Sequence, residues 1–272
     1  MNHIFHDSAL NVLKATKEGS VDLVYIDPPF GTGHKQALPR KKNGEVISTI
    51  TYEDPNINYI EWLKEHMCAV RRVLKPNGTV YLHMDHHWVH RAKVMMDDEV
   101  FGADSFLNEV IWAYDYGGRG KHCWPKKHDS ILVYVKDPKD YVFNWDDIDR
   151  IPYMAPGLQK DPDRADEGKV PTDVWWMSIV GTSSKERNGY PTQKPVKLVE
   201  RAILASSPPG GTVMDVFAGS GTTGEAAHKH GRRFILADMS PWSIEVMQAR
   251  FKDIAVTWAI DNRQPTASII LV

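Results

Sequence analysis

Apolar residues recur along the chain in two patterns, as short continuous runs and as runs spaced three or four positions apart. Continuous runs rich in β-branched and aromatic residues predict buried strands. These runs are 21–26, 79–84, 109–113, 130–135 and 213–217, with a further strand ending at Asp238. The strands therefore spread over most of the chain.

Runs with helical spacing separate these strands and predict helices at about 59–74, 195–205 and 222–230. The first is stopped by Pro76-Asn77-Gly78 and the last by Gly231. Strands that alternate with helices favour an α/β fold, a mostly parallel sheet with helices on both faces.

Two segments follow neither pattern. Residues 31–58 are polar, with Lys35, Arg40, Lys41 and Lys42, and are too long for a simple connection. We interpret them as a mobile segment and a candidate lid. Residues 144–186 accumulate prolines and charges, with acids in excess, and are interpreted as a small irregular insertion.

Composition narrows the class of protein. The 272 residues are 42% hydrophobic and 25% charged, as in an ordinary soluble globule. We expect a cytoplasmic protein without a membrane segment, because no uncharged apolar run approaches about 18 residues. Cys68 and Cys123 form no metal-like pair. The net charge of −2 restricts any nucleic-acid contact to a local patch.

A glycine-rich turn follows the strand at 213–217. Gly219, Gly221 and Gly224 lie between that strand and a helix, an arrangement that brings backbone N–H groups to a nucleotide-type ligand. Asp238, after the next strand, can accept hydrogen bonds from ribose hydroxyls. The spacing also matches dinucleotide dehydrogenases. Asp215, however, would repel a pyrophosphate and suits a cationic ligand such as S-adenosylmethionine.

The strand 21–26 ends in Asp27-Pro28-Pro29-Phe30. The prolines lack backbone N–H groups and must end the strand, so a simple turn is one interpretation. If the protein were a dehydrogenase, the sequence Asp27-Pro28-Pro29-Phe30 would have no explanation.

Several segments together resemble the amino-methyltransferases of DNA, in the beta group whose catalytic motif precedes the cofactor motif. The matching segments are DPPF (27–30), DVFAGSGTTG (215–224), GYPTQKPVKLVERAI (189–203), HDSALNVL (6–13), VLKPNGTVYLHMD (73–85) and VIWAYDYGGRGKHCWPKKHDSILVYVK (110–136). The resemblance implies a Rossmann-like S-adenosylmethionine-dependent methyltransferase fold with circularly permuted motif order. It also implies one domain over 1–272, with a catalytic half at 1–143, a target-recognition insertion at 144–186 and a cofactor-binding half at 187–260.

The resemblance also assigns catalytic roles. The Asp27 carboxylate and the Pro28 carbonyl would accept hydrogen bonds from an exocyclic amine, which would free its lone pair for methyl transfer. Pro29 would stiffen the turn and Phe30 would stack on a base extruded from the duplex.

Nine residues would bind S-adenosylmethionine, and two of these assignments have a plain structural alternative. The nine are Asp7, Thr192, Lys194, Asp215, Phe217, Gly219, Gly221, Thr222 and Asp238. Asp7 could instead cap a helix that begins near Ser8, and Lys194 could be a surface charge.

A basic segment at 117–128 is the candidate contact for double-stranded DNA. It combines phosphate-binding charge with a stacking surface, in Arg119, Lys121, Trp124, Lys126 and Lys127. A solvated loop is the alternative. The histidines at 83, 87 and 90 have helical spacing, but a strand is predicted to end there, so no metal site is expected.

The substrate and the partners are less constrained. Aspartate in the first position of DPPF favours adenine N6 over cytosine N4 as the methylated amine. Other substrates stay open, namely RNA or a glutamine amide. Two other classes of protein also stay open, a nicotinamide-dependent oxidoreductase and a non-catalytic DNA-binding module. The resemblance also raises a homodimer and a cognate restriction endonuclease, and the sequence does not give the recognition site.

Overall fold

A nine-stranded sheet forms the centre of the protein in the computed structural model. The structure describes residues 1–29, 35–42, 45–53, 58–118 and 120–259, with backbone only for 35–53 and for Pro162. The strands of the main sheet are β1 (Asn2–Phe5), β2 (Val21–Ile26), β5 (Leu74–Met84), β6 (Phe106–Ala113), β7 (His128–Val135), β8 (Val174–Trp176), β9 (Thr212–Asp215), β10 (Arg233–Ala237) and β11 (Val256–Ala259).

The strand order is β11-β1-β10-β9-β2-β5-β7-β6-β8. From β11 to β5 all neighbours run parallel. β7 is antiparallel to β5 and β6, and β8 is parallel to β6. The predicted mostly parallel α/β sheet is therefore confirmed, with β2 between β9 and β5.

Helices cover both faces of the sheet. They are α1 (Ala9–Ala15), α2 (Tyr59–Val73), α3 (Val89–Met95), α4 (Pro162–Glu167), α5 (Val196–Ser206), α6 (Thr222–Lys229) and α7 (Pro241–Arg250). Alternation along β2 sends Val24 and Ile26 into the core shared with α1, α2 and α3. Leu23 and Tyr25 enter the second core, with α5, α6 and α7.

The polar segment 31–58 contains more structure than its composition predicts. β3 (Lys35–Lys42) and β4 (Glu45–Glu53) pair antiparallel in a separate two-stranded sheet. A sequence signal for this hairpin is Asn43-Gly44 followed by a run rich in β-branched residues at 45–53. The side chains of the candidate lid lie outside the described part of the chain.

The segment 144–186 is also less irregular than expected, because β8 joins the edge of the main sheet beside β6. Three residues are too few to show a periodic pattern, so no sequence signal indicates this strand. None of the helices in the described ranges is both long and apolar enough to cross a membrane.

Candidate active site

Three aspartates meet at the carboxyl ends of three adjacent strands. Asp238 follows β10, Asp215 is the last residue of β9, and Asp27 follows β2. Parallel strands place their carboxyl ends at one edge of the sheet, where ligands bind in open α/β folds. The predicted catalytic and cofactor motifs are thus brought together from opposite ends of the sequence.

Asp27 uses its two carboxylate oxygens differently. Oδ2 accepts a hydrogen bond from the ammonium of Lys194. Oδ1 is buried and has no hydrogen-bond partner among the residues that the structure describes. A buried acceptor without a partner costs free energy, and such groups mark places where a ligand completes the bonding. Pro28 is buried beside it, whereas Phe30 lies outside the described residues.

Asp215 is buried beneath the glycine turn. Its Oδ1 accepts from the backbone N–H of Phe217 at 3.0 Å, and its Oδ2 accepts from the Thr223 hydroxyl at 2.6 Å. Burial raises the pKa of Asp215 to about 7, although these two hydrogen bonds act in the opposite direction. The negative charges of Asp27 and Asp238 add to the rise in this pKa.

Asp238 fastens the glycine turn to the end of β10. Its Oδ2 accepts from the Gly219 N–H at 2.8 Å, and its Oδ1 from the Ser240 N–H at 2.8 Å. Burial raises the pKa of Asp238, against the lowering effect of these two hydrogen bonds.

The glycines of the turn have two distinct physical roles. Gly219 and Gly221 have φ values of +49° and +77°, in the left-handed region that favours glycine. A Cβ on Gly224 would lie 2.7 Å from Leu236 Cδ1 and 2.9 Å from Phe251 Cζ. Gly224 therefore allows α6 to pack closely on β10 and on the end of α7.

The segment before α5 brings Lys194 to Asp27. The Thr222 hydroxyl donates to the Lys194 carbonyl at 3.2 Å, which joins this segment to the start of α6. Lys194 is partly buried, so it is not a plain surface charge. Thr192 is exposed, and its predicted cofactor contact stays a prediction.

Asp7 and Phe217 flank the three aspartates. Asp7 Oδ1 accepts from the Ser8 N–H at 2.6 Å and from Asn11 Nδ2 at 2.8 Å, but the N-cap of α1 is Ser8 and not Asp7. The Phe217 ring packs against Trp62 and His66, at centroid distances of 5.8 and 5.6 Å. α2 thus supplies an aromatic surface that the sequence analysis did not predict.

A buried polar chain beside the site was also missed. Tyr25 Oη contacts His83 Nδ1 at 3.1 Å, and His83 Nε2 contacts Asp129 Oδ2 at 3.2 Å. Asp129 Oδ1 accepts from the Tyr114 hydroxyl at 3.2 Å. No local signal marks this chain, because His83 and Asp129 lie in strands that also contain other polar residues, such as Thr79 in β5 and Ser130 in β7.

The predicted end of a strand beside the histidines is confirmed, because His83 lies in β5, which ends at Met84, and His90 lies in α3. Ligand atoms of Asp85, His86 and His87 do lie within 4.8 Å of one another. The expectation of no metal stays a prediction.

The described residues of the basic segment 117–128 are exposed, with the exception of Lys127. Trp124 is 93% exposed, and Lys121 and Lys126 are exposed as well. Lys127 instead donates to the carbonyl of Gly117 at 3.0 Å and pairs with Asp115 at 3.6 Å, so it braces the loop. Arg119 lies outside the described residues.

The residues of the site fit S-adenosylmethionine. The cofactor carries a sulfonium and an ammonium and no phosphate, and the site presents three carboxylates next to a glycine turn. A pyrophosphate would be repelled by the same carboxylates. Asp27 Oδ1 additionally offers the unsatisfied acceptor that an amine substrate needs.

Comparisons with known proteins agree with this geometry. Residues 21–249 match the family of N6/N4 methyltransferases described as DNA methylase. DNA adenine methyltransferase YhdJ of Escherichia coli (strain K12) is 34% identical over 270 residues, covering 95% of this chain and 85% of YhdJ.

Solved structures share the fold. PvuII DNA methyltransferase, described as cytosine-N4-specific, aligns with a TM-score of 0.67 at 19% identity over 98% of this chain and 90% of its own. TTHA0409 of Thermus thermophilus, solved in complex with S-adenosyl-L-methionine, aligns with a TM-score of 0.62 at 18% identity, over 96% and 100%.

The fold and the site define a Rossmann-like methyltransferase. The chain belongs to the N6/N4 DNA methylase family. It is therefore an S-adenosylmethionine-dependent enzyme that acts on DNA, and the predicted family, fold, enzyme class and cofactor are confirmed. The dehydrogenase alternative is set aside.

Proposed function

We propose that the protein methylates N6 of adenine in double-stranded DNA at a specific site. One observation carries the catalytic part of this proposal, the buried and unpartnered Oδ1 of Asp27 at the carboxyl end of β2. The name of the relative YhdJ, a DNA adenine methyltransferase, supports adenine as the base. Cytosine N4 is the second candidate, as named for the PvuII enzyme.

The chain's own residues would prepare the amine for attack. An exocyclic amine is a poor nucleophile because its lone pair is delocalised into the ring. Asp27 Oδ1 would accept one amine N–H and the Pro28 carbonyl the other, which favours a pyramidal nitrogen and frees the lone pair. Preorganised acceptors of this kind are usually the largest contribution to catalysis. S-adenosylmethionine supplies the methyl group from its sulfonium.

Other residues would bind the cofactor and hold the base. Asp215, Phe217, Gly219, Gly221 and Thr222 would line the methionine side, with Asp238 on the ribose. Asp7 would contact the adenine side from its place at the start of α1. Thr192 and Lys194 would lie near the methionine, Pro29 would stiffen the turn, and Phe30 would stack on the extruded base.

The surroundings of the site suggest where DNA binds. Lys121, Lys126 and Trp124 are exposed on the segment after β6, and we assign phosphate contacts and stacking to them. The segment 144–186 would take part in target recognition between the two halves. A homodimer and a cognate restriction endonuclease remain predictions. The exposed thiols of Cys68 and Cys123 fit a reducing compartment such as the cytoplasm.

Expression of the protein in a host that lacks DNA methyltransferases, followed by mass spectrometry of nucleosides from its DNA, tests the function. N6-methyladenine is the expected product. Cytosine methylated at N4 would show the second candidate to be correct, and unmodified DNA would refute methyl transfer to either amine.

Two variants test the roles of individual residues. Asp27→Ala should abolish methylation and keep the cofactor affinity within a few-fold. Asp253→Ala is a matched control, because its side chain is 86% exposed on the surface. Asp238→Ala should weaken cofactor binding, and unchanged titration curves would refute that assignment.

A further inference from the structure

The ion pair between Lys194 and Asp27 joins residues 167 positions apart in the sequence. The Lys194 side chain is 15% exposed and that of Asp27 is 20% exposed, so both charges are largely withdrawn from water. A pair of this kind is not a typical surface salt bridge, and removing one partner leaves the other charge uncompensated.

The segment that carries Lys194 is held rigidly. The neighbouring Gln193 is buried, accepts from the Asn188 N–H at 2.9 Å and donates to the Glu186 carbonyl at 2.7 Å. The Glu186 carboxylate accepts from the Val196 N–H at 3.1 Å at the start of α5. These bonds fix the backbone on both sides of Lys194 and so aim its ammonium at Asp27.

The pair also separates the functions of the two carboxylate oxygens. The ammonium occupies Oδ2, so rotation of the carboxylate about its terminal bond would break a charge-assisted hydrogen bond. Oδ1 is consequently held in one direction, buried and without a partner in the described part of the chain.

We propose that Lys194 is a positioning residue for catalysis, which holds Asp27 in the orientation that presents Oδ1 to the substrate amine. This inference rests on the proposed function and deepens it. It gives Lys194 a role in the rate of methyl transfer, separate from the cofactor contact that its motif implies. Orientation of a catalytic group within a fraction of an ångström is worth large factors in rate.

A second carboxylate shares the charge of Lys194. Burial acts to raise the pKa of Asp129, but His83 and the charge of Lys194 outweigh it and the pKa is lowered. The ammonium of Lys194 therefore affects the electrostatics of Asp129 as well as pairing with Asp27.

Single-turnover methylation of unmethylated genomic DNA at saturating S-adenosylmethionine tests the proposal with purified variants. Lys194→Ala should lower the rate at saturating cofactor roughly 10- to 100-fold, whatever change in cofactor Kd accompanies it. Propylammonium chloride should restore a part of the rate, because the added cation can replace the missing one beside Asp27. Tetramethylammonium chloride, which has no N–H donor, should not.

Two further variants control for folding and charge. Lys194→Met keeps the aliphatic stem of the side chain. If it loses as much rate as Lys194→Ala, a packing defect is excluded as the cause. Lys197→Met is the matched control and should behave as the wild type, because Lys197 is 67% exposed in the first turn of α5.

The proposal is overturned if Lys194→Ala and Lys194→Met keep the wild-type rate at saturating cofactor, or lose only cofactor affinity. It is also overturned if propylammonium and tetramethylammonium have the same effect. Failure of the proposed function has a different signature, since the wild-type protein would then methylate no adenine or cytosine amine.

Discussion

The backbone N–H of Thr212 donates a hydrogen bond of 2.8 Å to Oδ2 of Asp22, across 190 positions of sequence. This bond joins the beginnings of β9, which ends at Asp215, and β2, which Asp27 follows. Asp22 is only 5% exposed, and both of its oxygens also accept from Lys75, at 2.8 and 2.9 Å. The spacing between the catalytic and the cofactor motif is thus set at the opposite end of the strands.

Replacing Asp22 by alanine should lower the free energy of unfolding by about 2–4 kcal/mol, because the buried Thr212 N–H then loses its partner. Urea unfolding measures this change. Lys75→Met should also destabilise the protein, because it leaves the buried Asp22 carboxylate without its cation, although the hydrogen bond to Thr212 stays in place. An Asp22→Ala protein as stable as the wild type would contradict a central role for that bond.

The raised pKa of Asp215 predicts a pH dependence of cofactor binding. A bound cation favours the ionised carboxylate, and the pKa of Asp215 in the free protein is about 7. Binding should therefore release a proton near neutral pH, and the S-adenosylmethionine Kd should fall about 10-fold between pH 6 and 8. Calorimetry in buffers of different ionisation enthalpy measures both quantities.

The variant Asp215→Asn shows how much of the pH dependence of cofactor binding comes from Asp215 and how much comes from the cofactor. Any pH dependence that remains in this variant belongs to the ammonium group of the cofactor itself. An unchanged pH profile in the variant would mean that Asp215 does not titrate on binding.

The same carboxylate should destabilise the ligand-free protein at neutral pH. Folding raises the pKa of Asp215 from its ordinary value of 3.8 to about 7, so the folded state holds a proton that the unfolded chain releases. The free energy of unfolding should fall as pH rises from about 4 to 7 through this group. Asp215→Asn should then raise the Tm at pH 8 while it weakens cofactor binding.

The glycine turn gives a prediction about packing. Gly224→Ala should lower the free energy of unfolding by about 1–3 kcal/mol, because its Cβ would overlap Leu236 and Phe251 in the core. Gly181→Ala is the matched control, since a Cβ at Gly181 meets no atom within 4 Å among the described residues. A Gly224→Ala protein as stable as the control would mean that α6 shifts freely on β10.

The sequence predicts elements well where many apolar residues repeat one period. β2 agrees with its predicted bounds residue for residue, and the helix predicted at about 59–74 is α2, Tyr59–Val73. β1 and β11 have four residues each and β8 has three, which is too short for any periodicity to be visible. Their places depend on neighbours that are distant in the sequence.

The residues of the site were likewise predictable only where a local sequence pattern indicates their position. Asp27, Asp215 and Asp238 were predictable because each lies at or next to the carboxyl end of a recognisable strand, and parallel strands bring these ends together. The ion pair between Lys194 and Asp27 was not predictable, because the sequence around either residue does not indicate its partner. The polar chain from Tyr25 to Tyr114 likewise depends on the order β2-β5-β7-β6, which no single segment encodes.

The exposed side chains of the segment 117–128 predict two different effects on DNA affinity. Lys121→Ala with Lys126→Ala should reduce the slope of log K against log salt by about 2, since each phosphate contact contributes about 0.9. Trp124→Ala should weaken binding and leave that slope unchanged, because stacking involves no counterion release. Titration of a mixed-sequence duplex at several salt concentrations measures both. Lys252→Ala, at a lysine that is 74% exposed beside Asp253, is the matched control. If the double variant keeps the wild-type slope, the phosphates contact another surface.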